Sequence, residues 1–203
     1  MSKILRQCVL CLVLLPVLLP AQTNPRVLIV YYSQTGNTRE MAEAVANGAR
    51  TVAGVEVKLQ TTAETTFPDL MAADAIIVGS PVYNANAAPE VMNFINSWPF
   101  NGAPFKDKIG AAFVTGGGVS AGEELVQLNI LHSMMIFGML VVGGADWTSP
   151  FGASAVIEEV PFDSTSDGKH VAKLFLRKGE GLGKRVAELC LRLKQSPQKN
   201  PKN

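Results

Sequence analysis

Six consecutive residues, Ser33-Gln34-Thr35-Gly36-Asn37-Thr38, bring three hydroxyls, two side-chain amides and a run of backbone N–H groups into one short loop. The apolar run before them reads as a buried strand and the pattern after them as a helix. The polar groups therefore gather at the positive end of a helix dipole, where a phosphate monoester fits. A loop that grips a triphosphate and its magnesium needs a Lys followed by Ser or Thr, and neither is here. The alternative, an ordinary helix cap, needs only Asn37 or Thr38 and gives no role to the two earlier hydroxyls and the glycine.

Other groups able to do chemistry are few. His132 falls in an apolar helical stretch and His170 near the start of the last helix. With one cysteine beyond the first 21 residues and no clustered carboxylates, zinc has no ligand set. Cys190 lies in an apolar-patterned helix and reads as a buried structural thiol. Gly116, Gly118 and Ala121 match a loose dinucleotide fingerprint, but no acidic residue follows about 20 positions later. The run Gly179-Glu180-Gly181-Leu182-Gly183-Lys184 has too short a glycine spacing for a phosphate loop, and Arg185 stands where Ser or Thr belongs. Close helix packing or a local break is expected there.

These groups must be positioned by an alternation of strands and helices. Apolar runs at Val27–Tyr32, Val55–Gln60, Asp74–Gly79, Lys108–Thr115 and Met139–Val142 predict five strands. Helical spacing predicts helices over Thr38–Val52, from Pro89, over about Ala121–Phe137, and at the C-terminus, where Leu182, Val186, Leu189 and Leu193 share one face. Such alternation implies right-handed crossovers and a parallel sheet with helices on both faces, and five strands fit a doubly wound α/β sandwich of order 2-1-3-4-5. Ligands then bind beyond the carboxyl ends of the strands, at the loops after strands one, three and four. Glu158–Lys169 reads as an exposed excursion.

The 203 residues suffice for one domain, and 47% hydrophobic against 17% charged gives it a sizeable core. Lys3 and Arg6 precede the apolar run Cys8–Pro20, so residues 1–21 read as a secretory signal peptide, with an uncleaved anchor as the alternative. The expected organisation is a signal at 1–21, one domain at 22–195 and a disordered tail at 196–203, exported to a periplasm or secreted. The net charge of +1 falls to −1 without residues 1–21, with 16 basic against 17 acidic residues. No nucleic-acid partner is expected from that balance, nor stable membrane insertion once the signal is removed.

The string Val30-Tyr31-Tyr32-Ser33-Gln34-Thr35-Gly36-Asn37-Thr38 resembles the signature loop of flavodoxins, which grips the phosphate of FMN. Gly79-Ser80-Pro81-Val82-Tyr83, Thr115-Gly116-Gly117-Gly118 and Ser149-Pro150-Phe151-Gly152-Ala153 are similar to loops of the WrbA-type NAD(P)H:quinone oxidoreductases, flavodoxin-like FMN enzymes. The resemblance implies a flavodoxin-like fold in which Ser33, Gln34, Thr35, Gly36, Asn37 and Thr38 hold the FMN phosphate. It places Pro81, Val82, Tyr83, Asn84 and Asn86 beside the isoalloxazine ring, and Thr115, Gly116, Gly117 and Gly118 as a further wall. Tyr83, with Trp98 or Phe100 and the loop Trp147–Phe151, would receive the substrate. Three features depart from the family: a short segment Thr61–Ala73, Phe137 where a histidine precedes Gly-Met, and an export signal.

No catalytic side chain is expected, since a flavin carries its own chemistry. The resemblance implies an oxidoreductase that takes hydride from NAD(P)H and reduces a quinone or similar small acceptor by two electrons, and a homo-oligomer, dimer or tetramer. The alternative is a flavodoxin-type electron carrier serving a protein partner. Such carriers present acidic surfaces, so the near-neutral balance leans toward the enzyme.

Overall fold

The computed structural model describes residues 23–162 and 171–195. The signal and the tail expected at the two ends lie outside the described residues, as does His170. In chain order the elements are β1 (Arg26–Tyr31), α1 (Asn37–Arg50), β2 (Glu56–Thr61), α2 (Phe67–Ala72), β3 (Ala75–Tyr83), β4 (Asn86–Ala87), α3 (Pro89–Asn96), β5 (Ile109–Gly116), α4 (Glu123–Ile136), β6 (Leu140–Val141), β7 (Ala153–Val156) and α5 (Lys173–Gln195).

The sheet runs β2-β1-β3-β5-β6, with β7 also on β5 and β4 folded antiparallel onto β3. Both β6 and β7 pair with β5 in parallel: Leu140 and Val141 lie opposite Ile109 and Gly110, and Ala153–Val156 opposite Phe113–Gly116. Together they fill one strand position, so the predicted order of five stands with its fifth strand divided by the loop 142–152. The sequence reading ended this strand at Val142 and left Ala153 in a loop. A four-residue run cannot be told from a loop by periodicity, and the partner that makes it a strand is about 40 residues away in sequence.

Side chains alternate across each buried strand and supply two cores. Val27, Ile29, Ile77, Ala111 and Phe113 pack under α1 and α5, while Leu28, Val30, Ile76, Val78, Ala112 and Val114 pack under α3 and α4. Because both faces are covered, these strands carry no polar alternation. α1 and α5 touch through small residues: a Cβ on Gly48 would stand 1.9 Å from Glu180 O, and one on Gly183 1.9 Å from Val45 O. The glycines of α5 thus serve close helix packing, and the helix runs through them unbroken. Cys190 is buried on the same face, and burial pushes its thiol up to about 12. Leu193 departs from expectation and is exposed. It lies in the last turn, where Lys194 Nζ reaches Asp74 Oδ1 (2.8 Å) at the starting edge of the sheet.

The short segment 61–73 holds α2, absent from the predicted elements. The Thr66 N–H and hydroxyl both donate to Asp69 Oδ2 (3.0 and 2.7 Å), and Pro68 fits the first turn. Hydrogen bonds from Lys58 and then Thr66 hold the Asp69 carboxyl well below the usual carboxylate range. β3 runs four residues beyond its predicted end at Gly79, because Ser80 and Pro81 continue the ladder opposite Val114 and Thr115.

Candidate functional site

β1, β3 and β5 end side by side, and the loops leaving them meet. α1 starts at Gly36, whose φ of +101° suits only a residue without Cβ strain, and no side chain caps the helix. The Gly36 N–H donates to Ser33 Oγ (3.1 Å), which curls the loop back and leaves the first-turn N–H groups directed outward from the helix end. Thr35 Oγ1 accepts from Asn37 Nδ2 (3.2 Å), while Asn37 Oδ1 is buried without a partner.

Two side-chain hydrogen bonds tie this first loop to the others. The Thr38 and Thr115 hydroxyls, 1% and 3% exposed, lie 2.8 Å apart and join α1 to the end of β5. Tyr83 Oη donates to Gln34 Oε1 (2.9 Å), which brings the β3–β4 hairpin over the loop. Burial, with the Glu90 carboxylate nearby, raises the Tyr83 hydroxyl above its ordinary value, so it stays protonated and donates.

The hairpin turn itself consists of Asn84 and Ala85, at φ +50° and +60°, between the paired residues Tyr83 and Asn86. Two positive φ values make this the mirror-image turn that matches strand twist, for which Asn-Gly is the favoured pair. Alanine is strained there by about 1 kcal/mol. Replacing Ala85 with glycine is therefore expected to raise stability by about 1 kcal/mol, read as a higher urea midpoint with an unchanged slope.

Thr115 and Gly116 end β5, and Gly117 and Gly118 follow. The open sides of these two glycines face carboxylates: a Cβ would stand 3.2 Å from Glu158 Oε2 at Gly117 and 2.8 Å from Glu159 Oε2 at Gly118. Ile157 and Glu158 N–H groups donate to Gly116 and Gly117 carbonyls (3.0 and 2.9 Å), and Glu159 Oε2 accepts the Val119 N–H (2.6 Å). Glu123 packs against Gly116, with its Oε2 buried and unpartnered. Sequence reading missed all three. Glu158 and Glu159 are exposed, as expected of an excursion, but nothing local shows that the chain after β7 runs beside Gly116 and Gly117.

Trp98 and Phe100 do not join the site. Trp98, 4% exposed, stacks on Phe105 with centroids 4.7 Å apart and packs against Phe94 and Phe137; Phe100, 64% exposed, lies against Phe137. Phe105 lies in the turn that leads into β5 at Ile109, whereas Gly116 ends the strand. At roughly 3.3 Å per residue the strand separates the two ends by about 23 Å. Phe137 occupies the predicted histidine position within this same aromatic cluster. The loop with Trp147 also lies elsewhere: it leaves the divided fifth strand at mid-sheet and packs on α5, with Ala145 against Gly181. Of the candidate substrate-binding residues, only Tyr83 reaches the strand ends.

Comparison with known proteins agrees with this geometry. The family described as NADPH-dependent FMN reductase matches residues 25–154. The chain belongs to that family. A protein named NAD(P)H dehydrogenase (quinone) from Methylocella silvestris is 31% identical over 202 residues, covering 83% of this chain and 98% of that one. A flavodoxin from Aquifex aeolicus is 37% identical over 127 residues, covering 60% of this chain and 66% of the flavodoxin. Among solved structures, a WrbA-like flavodoxin from Agrobacterium tumefaciens superposes with a TM-score of 0.67 at 23% identity, covering 83% of this chain and 98% of that one. The flavodoxin-like fold of this FMN reductase family member is thus shown, and the WrbA-type resemblance with it.

Do the residues fit FMN? An uncapped helix start with outward N–H groups and the loop's hydroxyls around it make a polar cradle for the phosphate. Pro81–Tyr83 with Asn84 and Asn86 on one side, and Thr115–Gly118 on the other, leave backbone groups to meet a ring between them.

Proposed function

We propose that the protein is an FMN-dependent oxidoreductase that takes hydride from NAD(P)H and passes two electrons to a quinone or similar small acceptor. The observation that carries this reading is the meeting of three loops at the strand ends, joined by the Thr38–Thr115 and Tyr83–Gln34 hydrogen bonds around the uncapped start of α1. When bound, FMN would supply the redox chemistry, a carrier for the two electrons and the proton that a hydride brings. The chain's residues orient and enclose it. Ser33–Thr38 hold the phosphate, Tyr83 closes the first loop with a protonated hydroxyl, and Thr115–Gly118 line the ring with backbone. Net reduction of a quinone takes one proton from solvent, the other hydrogen having arrived with the hydride of NAD(P)H. The family match and the quinone dehydrogenase relatives support the enzyme.

One observation favours a second reading, an electron carrier that docks a protein partner. The near-neutral balance conceals a segregation: residues 22–172 hold 15 acidic against 7 basic residues, and Glu90, Glu123, Glu158 and Glu159 stand around the site. An acidic rim of this kind steers a basic partner. Anaerobic titration of the FMN-loaded protein with NADPH and NADH separates the two. Direct bleaching of the flavin band by either nucleotide, followed by recovery on adding a quinone, is the expected result. A band that stays unbleached by both, and yields only to a chemical reductant, overturns the enzyme reading in favour of the carrier.

A further inference from the structure

The outward face of α5 and the loop lying across it form a surface remote from the strand-end site. α5 carries seven basic and two acidic residues. At 100° per residue, Arg177, Lys178, Lys184, Arg185 and Arg192 share one sector with a single carboxylate, Glu188, on the side away from the buried Val186 and Cys190. The loop 143–149 crosses the middle of this sector. Ala145 packs on Gly181, Lys178 Nζ donates to Thr148 O (2.9 Å) and Arg185 donates to Gly144 O.

The loop is also fastened within itself. Gly144 N–H donates to Ser149 O (2.8 Å), and Asp146 Oδ1 accepts both the N–H and the hydroxyl of Thr148 (2.8 and 2.7 Å). Within this framework Trp147 is 87% exposed on the loop that Lys178 and Arg185 hold against α5, and Leu174 is exposed on the same helix face. A hollow of about 360 Å³ lined by Ala145, Lys184, Arg185, Glu188 and Arg192 opens beside it.

We propose that this face docks the protein peripherally on a membrane containing anionic phospholipid. Trp147 enters the headgroup layer and the α5 cations lie over the lipid phosphates. The charge pattern requires a negative partner, since α5 is positive while residues 22–172 are strongly negative. The rigid, projecting indole selects lipid over an acidic protein. An indole sits favourably at a membrane–water interface, where its ring meets apolar chains and its N–H meets water and headgroups, and flanking Lys and Arg meet the anionic surface. Among the described residues no helix is long and apolar enough to cross a membrane, in keeping with a surface attachment.

The test is co-sedimentation of the full chain with phosphatidylcholine vesicles, with and without phosphatidylglycerol, alongside the variants Trp147→Ser and Arg177→Glu/Lys184→Glu. Partition onto the anionic vesicles is expected to be at least about tenfold stronger than onto neutral ones, and each variant to lose about tenfold while keeping its circular dichroism. Tryptophan emission should shift to the blue on binding and be quenched by brominated lipid, a signal that comes from Trp147 because Trp98 is already buried. No partition overturns the proposal. So does equal partition onto neutral vesicles, or partition that the variants do not change, which would place attachment on another segment. Binding to an acidic protein such as polyglutamate-coated beads, without vesicle binding, overturns it in favour of a protein partner.

Discussion

Replacing Gly183 with alanine lowers the stability of the protein by about 3 kcal/mol, at the upper end of overpacking effects in cores. The new methyl would stand 1.9 Å from Val45 O, 2.8 Å from Val45 C and 3.0 Å from Ala49 N. All three are backbone atoms of a helix, so no side-chain rotation relieves the clash and α1 and α5 must separate. Separation opens the core in which Met41, Val45, Leu182 and Val186 are buried. The higher helix propensity of alanine offsets only about 1 kcal/mol. Gly181→Ala provides the contrast: its methyl meets only Ala145 Cβ, at 2.9 Å, on a surface loop that can shift. A cost below about 1 kcal/mol is expected there. Urea unfolding of the two variants checks the pair, and equal costs would show that the helix contact is softer than its geometry.

Replacing Gly36 with aspartate abolishes most FMN affinity and spares riboflavin. Asn and Asp tolerate positive φ better than other residues, so Gly36→Asn and Gly36→Asp impose similar backbone strain and differ mainly in charge. Two like unit charges about 5 Å apart at an effective dielectric near 20 repel by roughly 3 kcal/mol, a hundredfold or more in affinity. Fluorescence titration should show that loss for FMN with Gly36→Asp, a change within about tenfold with Gly36→Asn, and little change for riboflavin, which lacks the phosphate. Equal losses in the two variants would mean that the loop does not read the charge of its ligand.

These two glycines differ in how far local sequence discloses them. Gly36 sits in a contiguous string whose chemistry is complete within six residues, so the anion cradle was legible before any fold. Gly183 was legible only as an anomaly, three glycines in a helical pattern. Its partner, Val45 on α1, is far away in the chain, and only packing could say whether the glycines broke the helix or admitted a neighbour.

The same division holds elsewhere. The buried strands announced themselves as apolar runs because both faces of the sheet are covered, and a parallel sheet with helices on both faces followed from alternation and handedness. What lies at one end of the sheet or the other did not follow. Trp98 and Phe100 are near the strand starts, while Tyr83 is at the strand ends, though aromatic type and sequence distance treat them alike. The charge total was similarly mute, since a near-zero sum hides a positive α5 and a negative remainder.

By itself, then, the sequence determined the class of fold and singled out the loop Ser33–Thr38 as the anion-site candidate, because both rest on periodicity and adjacent residues. The tertiary structure decided the rest of the wall. It divided the fifth strand, carried Glu158 and Glu159 onto Gly117 and Gly118, and seated Trp147 on α5 instead of at the strand ends. Each of those outcomes depends on contacts between segments distant in the chain, and no local pattern encodes which distant segment a loop will meet.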